Sequence, residues 1–197
     1  MKKILLTLTL LIGLTTVHGQ NITYDDFKSL IPSLQSEKWK SAFEMSKKLL
    51  TGAEKDTSDF KAIVLYVNIY SAAGMVSQNQ MTYKELKLHI GQFKGQKIIM
   101  SAHPIGKNEN NTLNQTIFST EDGKNTAFTT STNAEGTHIF CFEKFNFNNK
   151  VDVSNFGGSM VRCGGIVEKI ETNPNESNIW ILRLSIKDAF ARKANQL

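Results

Sequence analysis

Val161-Arg162-Cys163-Gly164-Gly165-Ile166-Val167-Glu168-Lys169-Ile170-Glu171, the turn Asn173-Pro174-Asn175-Glu176-Ser177, and then Ile179-Trp180-Ile181-Leu182-Arg183-Leu184-Ser185-Ile186 form the stretch that decides the fold. Both flanks are rich in β-branched and aromatic residues, and the middle is a turn built on proline and asparagine. The Gly164-Gly165 pair inside the first flank marks a bend or bulge. Two such strands joined by a short turn call for further strands to pair with. They are found upstream at Lys97-Ile98-Ile99-Met100-Ser101-Ala102 and at Thr137-His138-Ile139-Phe140-Cys141-Phe142. Another signal is Ile117-Phe118 leading into Glu121-Asp122-Gly123-Lys124, where Asp-Gly is the strongest short-range mark of a hairpin. Lys187 to Ala194 reads as a short terminal helix, and Asn125 to Gly136 fits no element cleanly.

Before Gly95 the periodicity is helical. Thr23 is placed to cap a turn starting at Tyr24, with Asp25 and Asp26 at the favourable end of the helix dipole. Pro32 is expected to end or kink that helix. Ser36 should start a second, with Trp39, Ala42, Phe43, Met45, Leu49 and Leu50 at mostly three- and four-residue spacings and Thr51-Gly52 stopping it. A third helix, about Phe60 to Met75, is apolar on most sides and is expected to be the buried one. Thr82-Tyr83-Lys84-Glu85 is a capping box opening a fourth, through about Phe93.

The N-terminus has its own logic. Met1-Lys2-Lys3 is basic, Ile4 to Leu14 is largely apolar, and Thr15 to Gly19 is polar with small residues. This is the three-part pattern of a secretory signal peptide over residues 1–19, with cleavage expected after Gly19. The apolar run is too short to span a bilayer, and no later run of 18 apolar residues follows. The 197-residue chain carries a formal charge of +5, which drops to +3 when Lys2 and Lys3 leave with the leader. That weakens a nucleic-acid reading based on charge. A periplasmic or secreted product is expected.

The expected organisation is therefore α+β: a helical layer of three to four helices at residues 20–95, then a small β-barrel with a short C-terminal helix at residues 96–197. The second half resembles the oligonucleotide/oligosaccharide-binding fold, in its exported, anticodon-domain-like form. The residues that carry the likeness are Gly95 to Met100, His138 to Phe142, Val161 to Ile170, and Trp180 to Ala189 ending on Lys187-Asp188-Ala189. The resemblance implies a five-stranded antiparallel barrel with a ligand face of aromatic and basic residues. The helical half more faintly resembles a tetratricopeptide unit, through Trp39-x-x-Ala42 and Ala62-x-x-x-Tyr66. No second copy follows, and Phe43 stands where that pattern wants a small residue.

Chemistry-bearing residues are few. His89, on the fourth helix, reads as an exposed polar residue, and His103, before Pro104, as a rim position at the end of the first strand. With His138 they form no pair at metal-ligand spacing, so no metal site and no cofactor are expected. Cys141 and Cys163 are open to three readings: a disulfide, two buried thiols, or a reactive nucleophile. In the barrel their strands are not neighbours, so a bridge has to cross the interior. No nucleophile elbow, phosphate loop or dinucleotide fingerprint occurs, and no catalytic residue is assigned. Phe140 and Phe142, at positions that share a strand face, are the candidate ligand or interface face together with His103.

These observations favour an exported, non-catalytic protein that binds a protein, peptide or glycan. A nucleic-acid-binding barrel and an enzyme whose site forms no linear motif are the alternatives.

Overall fold

A computed structural model describes residues 21–107, 112–119 and 125–195. The expected leader with its cleavage site, the expected Asp122-Gly123 turn and the stretch Asn108 to Asn111 lie outside those residues. The fold is α+β. Four helices, α1 (Tyr24–Gln35), α2 (Trp39–Thr51), α3 (Asp59–Ser77) and α4 (Tyr83–Ile90), precede a six-stranded sheet. Its strands are β1 (Lys97–Ile99), β2 (Ile117–Ser119), β3 (Asn125–Thr132), β4 (Ile139–Phe147), β5 (Val161–Thr172) and β6 (Trp180–Lys193).

The helix starts follow local chemistry. Thr23 and Asp26 form a capping box on α1, and Thr82 and Glu85 form one on α4. Ser58 Oγ caps α3 by accepting the Lys61 N–H at 3.2 Å. Pro32 does not end α1, which runs on to Gln35. Its ring sits on the solvent side, where the carbonyl it deprives of a partner can bind water. α2 begins at Trp39 rather than Ser36. α3 is long and apolar enough to cross a membrane by length and composition, contrary to the expectation that no such run follows the leader. Here nearly all of it is core: Val64, Ile69, Ala72 and Ala73 are fully buried.

The sheet order is β1-β5-β6-β4-β3-β2. All neighbours are antiparallel except β4 and β6, which run parallel with Cys141 opposite Leu182 and Phe145 opposite Ile186. The sheet is thus mixed and not closed, with six strands, where the sequence led us to expect five antiparallel strands in a barrel. A single parallel bridge, Ile105 to Thr116, links the chain beyond β1 to the chain before β2. The expected terminal helix is also replaced: Lys187 to Lys193 continue β6 and pair with β5, Val161 facing Lys193. The segment that fitted no element is β3 and its turn. One core joins the layers. Tyr66 and Ile69 of α3, Leu86 of α4, Phe140 and Phe145 of β4, and Ile186 of β6 belong to the same buried cluster.

Candidate functional site

β4 decides which side chains face in and out. Its ladder with β3 slips between Ser131 and Thr132, so that Cys141 faces Ser131 while Ile139 faces Thr132. Phe140 is the extra residue of this bulge. Both it and Cys141 are therefore fully buried, and beyond them the alternation restarts with Glu143 and Phe145 inside and Lys144 exposed. This separates the two phenylalanines expected to share a face. Phe140 packs edge-on against Trp39 (5.1 Å) and Tyr70 (5.0 Å) of the helices. Phe142 points away, toward Trp180 at 6.0 Å.

The outer face carries two cross-strand rows. Thr130, Phe142, Arg183 and Glu171 lie opposite one another in turn across β3, β4, β6 and β5. Beside them run Phe128, Lys144, Ser185 and Lys169. The Arg183 guanidinium stacks over Trp180 at 4.3 Å and approaches Phe142 at 5.8 Å, and Lys144 Nζ lies 5.6 Å from the Phe128 ring. Lys169 pairs with Glu171 at 2.9 Å, which leaves Lys144 and Arg183 as the cations turned toward rings rather than carboxylates. These rows line a groove of about 580 Å³. Such a surface can stack flat or ring-shaped groups and hold carbonyl, hydroxyl or anionic groups beside them.

The inner face carries a buried polar cluster. Tyr66 OH donates to Glu143 Oε1 at 2.6 Å and shares a 2.9 Å hydrogen bond with Ser131 Oγ. Glu143 Oε2 has no partner among the described residues. Burial pushes the Glu143 carboxyl up to about 8, so it is held as the neutral acid at pH 7. Burial also raises the Tyr66 phenol, with Glu143 adding to it.

The remaining predicted residues do not gather at a site. His103 is buried rather than on a rim: it bridges to Val161, and its Nε2 lies 3.0 Å from Ser101 Oγ. Burial lowers its pKa. His89 is half-buried rather than exposed, with Nε2 at 2.7 Å from Asn68 Oδ1 and its ring against Phe43 and Phe93. Burial pulls it down to about 4. Cys141 and Cys163 are both free and buried. They face β6 at Leu182 and Ala191. That is about nine residues along one strand, or about 30 Å at 3.3 Å per residue. A disulfide needs Cα atoms within about 7 Å. Burial raises both thiols, the opposite of what a thiolate nucleophile requires. Among the described residues, no three His, Cys, Asp or Glu side chains are grouped as metal ligands.

Sequence reasoning named Phe142 as a candidate but not Trp180, Arg183, Lys144 and Phe128, which the register sets beside it. The signal was present in the alternation of β6, yet the companions belong to other strands and only the register assembles them. No known protein family, curated protein or solved structure matches the chain.

Proposed function

We propose that the protein is an exported, soluble, non-catalytic binding protein, and that the outer groove around Phe142 takes an extended peptide, a glycan, or a loop of a protein partner. The observation that carries this is the pair of cross-strand rows, in which Phe128 and Phe142 stand beside the two ring-facing cations Lys144 and Arg183 along one groove. Phe128, Phe142 and Trp180 are half-buried together rather than scattered, which suits a ligand surface. Export rests on the three-part N-terminal pattern. Two features support a partly open barrel of the oligonucleotide/oligosaccharide-binding type. One is the crossing of β6 between β5 and β4; the other is the bridge that ties the two sheet ends near Ile105 and Thr116.

The test is a peptide and glycan panel probed with the wild-type chain and with Phe142→Ala and Arg183→Glu. A specific ligand that both variants bind about tenfold or more weakly supports the reading. A ligand bound equally by all three proteins sinks it. Arg183 stacked between two rings also favours a second reading, single-stranded nucleic acid. It predicts a shift with single-stranded DNA that fades steeply with salt.

A further inference from the structure

A second cleft, of about 480 Å³, lies between the helical layer and the β1–β5 edge, and shares no lining residue with the outer groove. Its apolar wall comprises Phe27 and Leu34 of α1, Trp39 of α2, and Tyr66, Val67 and Tyr70 of α3. Its polar wall includes Ser101, Asn114, Thr132 and Arg162, with Glu37 at the helical side. Nearly all of these polar groups are satisfied. Tyr66 donates to Glu143, and Tyr70 OH donates to the Thr132 carbonyl at 2.6 Å. The Asn114 amide donates to Thr132 Oγ1 at 2.9 Å, and Glu37 Oε1 accepts the Ala134 N–H at 2.6 Å.

Arg162 is the exception. Its hydrogen bond is a long one, 3.4 Å from Nε to the Ala194 carbonyl, and no described carboxylate lies within ion-pair distance of it. Directly opposite on β6 stands Arg192. One Arg192 nitrogen reaches Asp59 at 2.8 Å, while its Nε and other Nη are buried without a described partner. Lys97 holds the second oxygen of Asp59 at 2.8 Å. Lys97 and Arg192 thus share one carboxylate, and no described carboxylate serves Arg162. Like charges directly opposite on a sheet are unfavourable, and a half-buried charge without a counter-ion is more so. Burial, and then the neighbouring Arg192, lower the Arg162 pKa. The arrangement is stabilised if an anion enters the cleft. A guanidinium fork fits a carboxylate or sulfonate in two parallel bonds, and the rings behind it fit an apolar body. The volume is that of a small-molecule site.

We propose that this cleft binds a small amphipathic organic acid, its acid group on Arg162 and its alkyl or aromatic body against Trp39, Tyr66 and Tyr70. The site is independent of the outer groove and does not rest on the reading given to it.

The full chain is titrated with the anionic dye anilinonaphthalenesulfonate and with its uncharged analogue N-phenylnaphthylamine, with dodecanoate as competitor. The folded protein should bind both dyes and dodecanoate should displace them. Arg162→Met should weaken the sulfonate about tenfold or more, the scale of a lost charge-assisted pair, and spare the neutral dye. Ala102→Trp, at the partly exposed mouth, should weaken both dyes, and Phe142→Ala neither. The proposal is overturned if the folded protein binds no dye, if dodecanoate fails to compete, or if Arg162→Met weakens the two dyes equally. It is equally overturned if Ala102→Trp leaves binding intact or Phe142→Ala abolishes it.

Discussion

On its inner side β4 presents Phe140, Cys141, Glu143 and Phe145, all at 2% exposure or less. On its outer side the same strand presents Phe142 half-buried and Lys144 exposed. The inner residues are held by the helical layer: Trp39 and Tyr70 pack around Phe140, and Tyr66 binds Glu143 while sharing a hydrogen bond with Ser131. The outer residues are held only along the sheet, ring beside cation. The same strand, with similar residue types, thus serves cohesion on one side and availability on the other. The difference comes from whether the helical layer covers the face. Aromatic content alone therefore does not mark a ligand surface; the proposal for the outer face rests on rings the helices leave uncovered beside cations that face them.

The comparison is tested hardest at Trp39. Its indole is 2% exposed, lies edge-on to Phe140, and occupies space that opens because Gly74 of α3 has no Cβ; one built there would sit 2.4 Å from Trp39 Cδ2. Trp39→Ala should lower unfolding free energy by about 3–5 kcal/mol in urea denaturation, as large-to-small substitutions in cores do. Because the indole joins both layers, the unfolding should stay a single transition. A loss under about 1 kcal/mol, or two separate transitions, would show that the layers are not one cooperative core.

Glu143 gives the next effect, read in pH. Its carboxyl is raised to about 8 by burial, against 4.5 in the unfolded chain. The folded state therefore holds a proton that the unfolded state has released, and stability is lost as pH rises through the folded value. Between pH 6.5 and 8.5 this amounts to a fall on the order of 2 kcal/mol in the wild type. Glu143→Gln keeps an acceptor for Tyr66 but has no proton to lose, so the gap between the two proteins should close by that amount over the same range. His89, near 4 when folded, contributes with the opposite sign in both proteins, losing stability as pH falls from about 6.5 through 4; in Glu143→Gln that loss stands alone, while in the wild type the proton held by Glu143 offsets it down to about pH 4.5. A parallel pH dependence of wild type and Glu143→Gln above pH 6.5 would mean that Glu143 is ionised in the fold.

What could be read from the chain beforehand was whatever depends on neighbours in sequence. Thr82 and Glu85 announce a helix start because both partners lie within one turn, and α3 announces its burial by being apolar all round. The misreadings fall where a distant partner decides. Lys187 to Ala194 has the composition of a helix end, yet cross-strand pairing to Val161, Arg162 and Cys163 makes it strand, with Asp188 at φ 49° beside the register shift near Gly165. Tertiary pairing there overrides local propensity. Phe140 and Phe142 obey a period of two only if the strand is regular. The slip opposite Ser131 adds one residue, and one residue turns a side chain to the other face. The cleft beside Arg162 was invisible for the same reason, since its lining comes from three helices, β3, β5 and the connections between elements.

The smallest stability effect belongs to the outer face, and it is the one that separates a ligand surface from a second core. Phe142 is half-buried, with Trp180 and Arg183 as its described ring neighbours. Removing it gives up part of a side chain's burial and one cross-strand pair, about 1 kcal/mol or less. Phe142→Ala should therefore melt within a few degrees of the wild type while its ring no longer supports the Arg183 guanidinium. Calorimetric melts of Phe142→Ala beside Trp39→Ala make the contrast direct. If the two destabilise equally, the outer ring is holding the sheet together as the inner one does, and the groove loses its claim to be kept open for a ligand.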